Sequence, residues 1–456
     1  MKTALFVPYR LIKENSTLGP WPLALGPYNG PVRRHLLIAV LVLCLLPVLK
    51  AEAAQNITLR HKHFLFTLTT RDMRAWEGER EIWLYRGEEV TPPAILRVDG
   101  DDVPPLPEGW ERTRSTEWDP QAIRRTVEER ISASLNREPG NVTIARSGSG
   151  ITFEGVGLPG RFVEPETTVG LIIEALKTGA TDVILPVVEA PATVTVQDGA
   201  LQKAGIREVV TVGESDFSGS PVNRRHNISV GLNRFNGHLI EQGKVFSFND
   251  VLGPVDGTAG YRKELVIKGD RTVPDYGGGL CQVSSTAYRG IWEHGFPIVE
   301  RRNHSYAVSY YGPNGTDATV YPGSIDMKFL NDGPSALLMQ TYEEDNKAYF
   351  IYYGTKDDRT SSVYGPFILG TRAVPPDRTV FTTELPPGTK RKVGDRHAGL
   401  SALWFRVRTT STGALVTEEV FSSYEARPLF YEVGVESLPE ASASSEPAEP
   451  SFIDVP

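Results

Sequence analysis

The chain has 456 residues, enough for two to four domains, and carries a formal net charge of −8. This acidic balance argues against a nucleic-acid partner, because such a partner requires a basic protein face. Hydrophobic residues make up 40% and charged residues 23%, which is typical of globular proteins. With 43 glycines and 34 prolines, the composition predicts a multidomain, β-rich chain of the α+β class.

An apolar run near the N-terminus indicates an export signal. Residues 36–49 (LLIAVLVLCLLPVL) follow Arg33 and Arg34 and precede small residues suited to cleavage after Ala53. The run is shorter than the roughly 20 residues that span a bilayer. Residues 1–54 are therefore expected to form a cytoplasmic start followed by either a signal peptide or an uncleaved membrane anchor. We expect an extracytoplasmic protein of the cell envelope, anchored or secreted, that contacts the membrane only through this segment.

The sequence pattern of residues 55–118 predicts a connecting region with some strands. His61 and His63 share one face of the first strand, a spacing compatible with a metal. A solvated strand is favoured instead, because no third ligand stands nearby.

The sequence pattern of residues 119–200 predicts a small α+β domain. Asp119 is placed as an N-cap and Pro120 as the first helical residue, and the later pattern indicates a hairpin, a second helix and a buried strand over residues 181–188. The domain resembles the peptidoglycan-binding domain that precedes YkuD or VanW domains; the alternative is a structural spacer without a ligand.

Three glycines lead into Cys281, and Val283, Ala287 and Ile291 follow at four-residue spacing. This pattern predicts that Cys281 lies in the first turn of a helix, where free N–H groups and the helix dipole favour a thiolate. The other cysteine, Cys44, lies in the apolar run, so the exported part has a single thiol and no intramolecular disulfide. A reactive thiol and a buried structural cysteine are the two interpretations.

Six segments around this cysteine carry a family resemblance. In chain order they are FSGSPVNRRHNI, GKVFSFND, GYRKELVIKG, GGGLCQVSSTAY, NHSYAVSYYGPNGTDATV and IDMKFLND. They resemble the VanW domain over residues 206–354, and we assign residues 205–355 to it. Residues 360–435 are similar to small β-rich modules that follow VanW domains. Residues 436–456, rich in Ser, Ala, Pro and Glu, are expected to form a disordered acidic tail.

The resemblance implies chemistry on peptidoglycan, since some VanW proteins act as cysteine L,D-transpeptidases. Cys281 would attack a donor stem peptide, His304 would act as the general base on a strand, and Asp317, at the start of the next strand, would orient the imidazole. Asp326 is the reserve carboxylate. The expected partners are peptidoglycan stem peptides, with no cofactor and no metal.

Residues around the cysteine have predicted supporting roles. Gly278 and Gly279 allow close approach of a substrate or another backbone. The N–H groups of Cys281 and Gln282 are candidate oxyanion donors. Ser284 is a candidate substrate contact, with helix capping as the alternative for it and for Ser285.

Other polar residues are expected to be structural or surface groups. Arg262 and Lys263 either meet a substrate carboxylate or face water, and His294 is expected as a charge at the helix C-terminus. Tyr288, His226 and His238 are expected in core, helix-end or surface positions.

Three functions fit these observations. The first is a cysteine acyltransferase that cross-links peptidoglycan through a Cys acyl-enzyme. The second is a non-catalytic peptidoglycan-binding protein, an accessory of glycopeptide resistance. The third is a cysteine peptidase acting on stem peptides.

Overall fold

The computed structural model describes residues 56–92, 106–268, 271–410 and 412–438. The predicted signal or anchor, with Cys44, and the tail beyond residue 438 lie outside these residues. In the part of the chain that is described, no helix combines the length and apolar character needed to cross a membrane. The described chain is rich in strands and contains helices in each of its first two regions, in line with the α+β class.

The N-terminal region comprises residues 56–205. Its strands are β1 (Ile57–His61), β2 (Phe64–Leu68), β3 (Glu77–Tyr85), β4 (Glu88–Glu89), β5 (Trp110–Trp118), β6 (Asn141–Ser147), β7 (Gly150–Gly155), β8 (Gly160–Val163), β9 (Asp182–Ile184), β10 (Val187–Ala190) and β11 (Thr193–Val196). Its helices are α1 (Thr70–Trp76), α2 (Pro120–Thr126), α3 (Pro165–Thr178) and α4 (Gly199–Lys203), and α2 continues through a π-helical turn (Val127–Ser132) and a last turn (Ala133–Leu135).

The N-terminal region packs across the boundary predicted at residue 119. Strand β1 pairs antiparallel with β2 and parallel with β9, so the predicted connecting region supplies two strands to the sheet of the following domain. Leu59 and Trp76 share one apolar core with Ile123 and Ile172. Asp119 caps α2 by accepting from the N–H of Gln121 at 2.8 Å, as the Asp-Pro pair predicts.

The single buried strand predicted over residues 181–188 is wrong. The chain instead forms β9 and β10, separated by Leu185 and Pro186, and Ile184 and Val188 are 65% and 50% exposed. Pro186 has no N–H to donate to a ladder, which explains the break.

The solvated environment predicted for His63 is also wrong. Its side chain is buried, and its backbone N–H and Nδ1 lie 2.9 and 2.7 Å from Oε1 of Glu293. The imidazole is therefore paired inside the protein, which removes the cost of burying a polar ring.

The central region comprises residues 206–355. Its strands are β12 (Glu208–Asp216), β13 (Leu239–Ile240), β14 (Val245–Ser247), β15 (Lys263–Lys268), β16 (Arg271–Tyr276), β17 (Ile298–Glu300), β18 (Lys328–Leu330), β19 (Leu337–Glu344) and β20 (Lys347–Gly354). Its helices are α5 (Val222–Phe235), α6 (Phe248–Leu252), α7 (Leu280–His294) and a 3₁₀ turn (Ser309–Tyr311).

Helix α7 is the centre of this region. It packs on an antiparallel sheet of order β12-β20-β19-β13, and the predicted apolar face, Val283, Ala287 and Ile291, is fully buried. Helix and sheet touch through glycine: a Cβ added to Gly290 would lie 2.4 Å from the backbone nitrogen of Gly213. The absence of both side chains lets the helix backbone rest directly on β12.

The C-terminal region comprises residues 361–434 and forms two small sheets, of order β21-β24-β25 and β22-β26-β23. Its strands are β21 (Ser361–Arg372), β22 (Arg378–Thr382), β23 (Lys390–Val393), β24 (Gly399–Thr409), β25 (Leu415–Tyr424) and β26 (Phe430–Gly434). Trp404 of β24 is buried in the same core as Trp292 of α7, with ring centroids 5.6 Å apart. The C-terminal region therefore packs directly on the central one.

Candidate active site

Cys281 is the second residue of α7, immediately after the glycine turn. Gly279 is the N-cap and has a φ of 115°, a left-handed conformation that favours glycine. A Cβ on Gly278 would lie 2.8 Å from the carbonyl oxygen of Leu265, so this glycine makes room for the backbone of β15. Cys281 is partly exposed and lines a groove of about 750 Å³.

The structure brings His304 and Asp317 to the thiol. One oxygen of Asp317, Oδ2, lies 2.6 Å from Nδ1 of His304 and 2.8 Å from its backbone N–H. Both side chains are buried. Nδ1 therefore donates its N–H to the carboxylate. The other ring nitrogen, Nε2, is the one that can interact with a thiol. Nε2 is buried without a hydrogen bond of ordinary geometry to any described residue.

The thiol and the imidazole stabilise each other's charged forms. Burial alone raises the pKa of Cys281, but the charge of His304 outweighs it and lowers the pKa to about 7 from its ordinary 9.0. Burial alone lowers the pKa of His304, but the charge of Cys281 and the hydrogen bond of Asp317 raise it to about 9. The His304 imidazole therefore lowers the thiol pKa, and the contribution predicted for the helix start stays a prediction.

Two further residues shape the pair. The Thr319 hydroxyl lies 3.5 Å from the sulfur of Cys281, within reach of a thiolate. The ring of Tyr311 stacks on that of His304, with centroids 4.2 Å apart and planes 9° from parallel. Arg224 lies over the neighbouring Tyr310 ring at 4.2 Å and donates to the Gln282 side chain at 3.0 Å. The stacked Tyr311 ring constrains the plane of the imidazole.

His304 and Asp317 do not lie on strands, contrary to the prediction. Both occur in irregular segments, which touch through the N–H of Thr319 and the carbonyl of Arg302 at 2.8 Å. The helix holds the second segment: Ser284 donates to the carbonyl of Ala318 at 2.6 Å, and Ser285 accepts from its N–H at 2.9 Å.

These contacts correct the capping role predicted for the two serines. Their hydroxyls are fully buried and tie the Asp317 segment to α7. Ser284 is therefore engaged within the protein and does not face the groove.

The structure uses Gln282 internally as well. Its N–H bonds the carbonyl of Gly279 at 2.9 Å, and its buried side chain bonds Arg224 and the Asp216 carbonyl. Of the two predicted oxyanion donors, only the N–H of Cys281 is left for that role.

The remaining candidates lie away from the thiol. Asp326 accepts from Ser247 at 2.6 Å and from the Asn249 N–H at 3.0 Å, so it caps α6. Burial, with the charge of Arg359, lowers the pKa of His294 to about 3, so the charge predicted for it is wrong.

Other predicted residues have simple surroundings. Tyr288 is buried in the core, as predicted, and Arg262 is exposed. Lys263 lies over the Tyr276 ring at 5.6 Å. His226 bonds the carbonyl of Gly260 at 2.9 Å, and His238 packs against Phe246.

The groove beside the thiol is lined by apolar and polar groups. Leu265, Tyr276 and Tyr321 contribute apolar surface, whereas Arg302 and Asn303 contribute polar groups. Among the described residues, no three His, Cys, Asp or Glu side chains cluster as a metal site. Cys281 thus lies in the wall of a groove that has both apolar and polar surface.

Sequence reasoning missed four residues that support the pair: Tyr311, Thr319, Arg301 and Tyr424. The first three lie within a short distance of His304 or Asp317 in sequence, so proximity was an available signal. Tyr424 lies 107 residues beyond Asp317, and its hydroxyl is 2.5 Å from Oδ1 of that carboxylate. No local pattern marks it.

Fold and site together define a protein in which a buried helix presents a thiol to a His–carboxylate pair beside an open groove. Residues 223–353 match the family described as VanW like protein. The chain therefore carries a VanW-like domain over these residues, as the motifs indicated.

Two curated relatives each match about a quarter of the chain. Uncharacterized protein YoaR of Bacillus subtilis (strain 168) is 36% identical over 125 residues, which are 27% of this chain and 41% of that protein. Vancomycin B-type resistance protein VanW of Enterococcus faecalis (strain ATCC 700802 / V583) is 30% identical over 115 residues, 24% of this chain and 42% of that protein. The match thus spans about two fifths of each relative's length.

Proposed function

We propose that this protein is an extracytoplasmic cysteine acyltransferase that cross-links peptidoglycan stem peptides in the manner of an L,D-transpeptidase. The observation that carries the proposal is the partly exposed Cys281 thiol beside His304, whose Nδ1 is held by Asp317 at 2.6 Å. A nucleophile, a base and a group that orients the base are what covalent acyl transfer requires.

The acylation step follows from the charge state of the pair. The Cys281 thiolate attacks the carbonyl carbon of the third residue of a donor stem, and the carbonyl oxygen takes the negative charge near the helix start. Collapse of this intermediate breaks the amide bond, and the His304 imidazolium gives its proton to the departing amine of the terminal D-residue. A thioester on Cys281 and a free amino acid result.

The second step reverses the proton flow. An amine of a neighbouring stem attacks the thioester, His304 accepts a proton from it, and the thiolate leaves. One amide bond replaces another, so no external energy source or redox partner is needed. If water replaces the amine, the same site acts as a peptidase.

The setting in the cell wall rests on the relatives and the N-terminal sequence. The enterococcal relative is named for vancomycin B-type resistance, and vancomycin resistance concerns the cell wall. Residues 36–49 carry the predicted export signal. Both support a protein of the cell envelope that works on wall peptides.

The test is an assay of the purified full chain on muropeptides with mass spectrometric detection of products. We expect wild-type protein to release a terminal D-amino acid and form dimers, and Cys281→Ala to form none. Cys44→Ala removes the other cysteine and is expected to retain activity.

The outcomes separate the three functions. Dimers formed by Cys281→Ala exclude the acyltransferase. Cleaved monomers without dimers identify a peptidase. If the protein binds muropeptides without forming any product, and Cys281→Ala binds them equally well, the protein is a binding protein.

A further inference from the structure

We infer that Tyr424, in the C-terminal region outside the VanW-like domain, is a positioning residue that sets the orientation of His304 through Asp317. The inference rests on the proposed function, because it concerns how the nucleophile of that reaction is prepared. It assigns part of the active site to a region that the family match does not cover.

The Asp317 carboxylate is saturated with donors. Oδ2 accepts from the N–H and Nδ1 of His304, and Oδ1 accepts from the Tyr424 hydroxyl at 2.5 Å and from Arg301 at 3.2 Å. Two oxygens of a carboxylate offer about four acceptor positions, and all four are occupied. Rotation of the carboxylate would break several bonds at once, so Oδ2 stays aimed at Nδ1.

Tyr424 is itself held in a fixed direction. Its oxygen accepts from the N–H of Gly315 at 2.6 Å, and its side chain is buried. Burial, followed by the charge of Asp317, raises the pKa of Tyr424 far above its usual value. The hydroxyl therefore keeps its proton over the pH range in which Cys281 and His304 titrate, and it donates to Asp317 there.

The strand that carries Tyr424 also forms hydrogen bonds with the segment that carries His304. In β25, Ser422 accepts from Arg301 at 2.8 Å, and the carbonyl of Ser423 accepts from Asn303 at 2.8 Å. Just beyond β25, the N–H of Glu425 donates to the carbonyl of Ser305 at 2.6 Å. Contacts therefore flank His304 on both sides, and all of them come from the C-terminal region.

The hydroxyl can be separated from the bulk of the ring. Tyr424→Phe keeps the packed ring but removes the donor to Asp317. With this donor lost, Oδ1 of Asp317 keeps only the longer bond from Arg301 at 3.2 Å, so the carboxylate holds the imidazole less firmly in the orientation that faces the thiol. The thiol then loses the neighbouring charge that lowers its pKa.

The experiment measures the rate of Cys281 alkylation by iodoacetamide against pH in the full-length protein, beside the rate of muropeptide cross-linking. We expect the midpoint of alkylation to move from near 7 in the wild type toward 9 in Tyr424→Phe. Cross-linking should fall about 10-fold to 100-fold, the range for losing a hydrogen bond to a charged group. Tyr364→Phe is the matched control, because Tyr364 is an exposed tyrosine of the same region.

Melting temperatures of the variants exclude a folding defect as the cause. If the alkylation midpoint is near 7 in the wild type and Tyr424→Phe leaves it unchanged, Tyr424 has no positioning role. The proposed function would still stand. A wild-type midpoint near 9 overturns the activated thiol itself and the inference with it. A shift in Tyr364→Phe as large as that in Tyr424→Phe also refutes a specific role.

Discussion

Helix α7 has a buried histidine–carboxylate pair at each end, and the two pairs are nearly alike. At its N-terminal end, Asp317 accepts from Nδ1 and the backbone N–H of His304 at 2.6 and 2.8 Å. At its C-terminal end, Glu293 accepts from Nδ1 and the N–H of His63 at 2.7 and 2.9 Å. In both pairs, one carboxylate oxygen fixes the ring and its backbone together.

The two pairs differ in their surroundings. Beside His304 stands Cys281, the one cysteine of the described residues, at the edge of a groove. The His63 pair borders a separate cavity of about 520 Å³, where Lys62 forms an ion pair with Glu189. A buried histidine–carboxylate pair is therefore not sufficient for a site; a nucleophile and access for a substrate decide.

The largest expected effect comes from Asp317→Asn. Asparagine fills the same space but cannot stabilise an imidazolium, and it permits the wrong tautomer of His304. We expect kcat/KM for cross-linking to fall about 10³-fold to 10⁴-fold, as for the orienting carboxylate of a catalytic triad. Steady-state kinetics on muropeptides measure it.

Asp326→Asn is the control for this change, since Asp326 caps α6 away from the thiol. If Asp326→Asn costs as much as Asp317→Asn, the pair at the N-terminal end is not the orienting unit.

The second prediction concerns pH. The pKa of Cys281 is lowered to about 7, so the thiolate exists above that pH, and the pKa of His304 is raised to about 9, so the imidazolium persists below it. Cross-linking should therefore be bell-shaped, with limbs near 7 and 9. Without the partner charge, burial would hold the pKa of the thiol above its ordinary 9.0.

His304→Gln tests the sign of this coupling. At pH 7 the thiolate fraction should drop from about one half to about one hundredth, so alkylation of Cys281 slows roughly 50-fold. His63→Gln, the equivalent change at the other end of α7, should leave the alkylation profile in place. A shared shift in both variants would mean that helix packing sets the thiol pKa.

Some of this architecture was predictable from sequence because its causes are local. The four-residue spacing after Cys281 and the Asp119-Pro120 pair each specify a helix start through contacts within one turn. The motifs of the family resemblance pointed to His304 and Asp317, which the structure brings together at the thiol. Their roles in catalysis remain predictions.

Other features depend on contacts between distant parts of the chain. Strands were predicted for the segments that carry His304 and Asp317, but both segments are irregular. Buried serines of α7 hold the second segment in place. The His63–Glu293 pair joins residues 230 positions apart, and Tyr424 reaches Asp317 from the C-terminal region. No periodicity in one sequence encodes such contacts.

The third prediction tests whether α7 is a rigid link between the two pairs. Gly290→Ala places a Cβ 2.4 Å from the backbone of Gly213, and neither backbone can move without disturbing sheet or helix. We expect a loss of about 1–3 kcal/mol in the free energy of unfolding, the usual cost of overpacking. Denaturant unfolding measures it.

Gly170→Ala is its matched control. Gly170 lies within α3 with open space at the Cβ position, so the change should stabilise the protein by about 0.5–1 kcal/mol. Equal effects of the two substitutions would show that close packing on β12 is not what Gly290 provides.

The smallest effect on catalysis is expected for Glu293→Gln, which alters the pair that lacks a thiol. Glutamine leaves the buried His63 with a weaker acceptor, so the free energy of unfolding should fall by about 1–3 kcal/mol. Cross-linking by the folded variant should match the wild type, because the change lies at the opposite end of α7 from Cys281. The decisive measurement is the ratio of rate loss to stability loss in Glu293→Gln and Asp317→Asn. A high ratio for Asp317→Asn alone means that proximity to the thiol turns an ordinary buried pair into a functional one, whereas similar ratios would mean that both pairs serve only the fold.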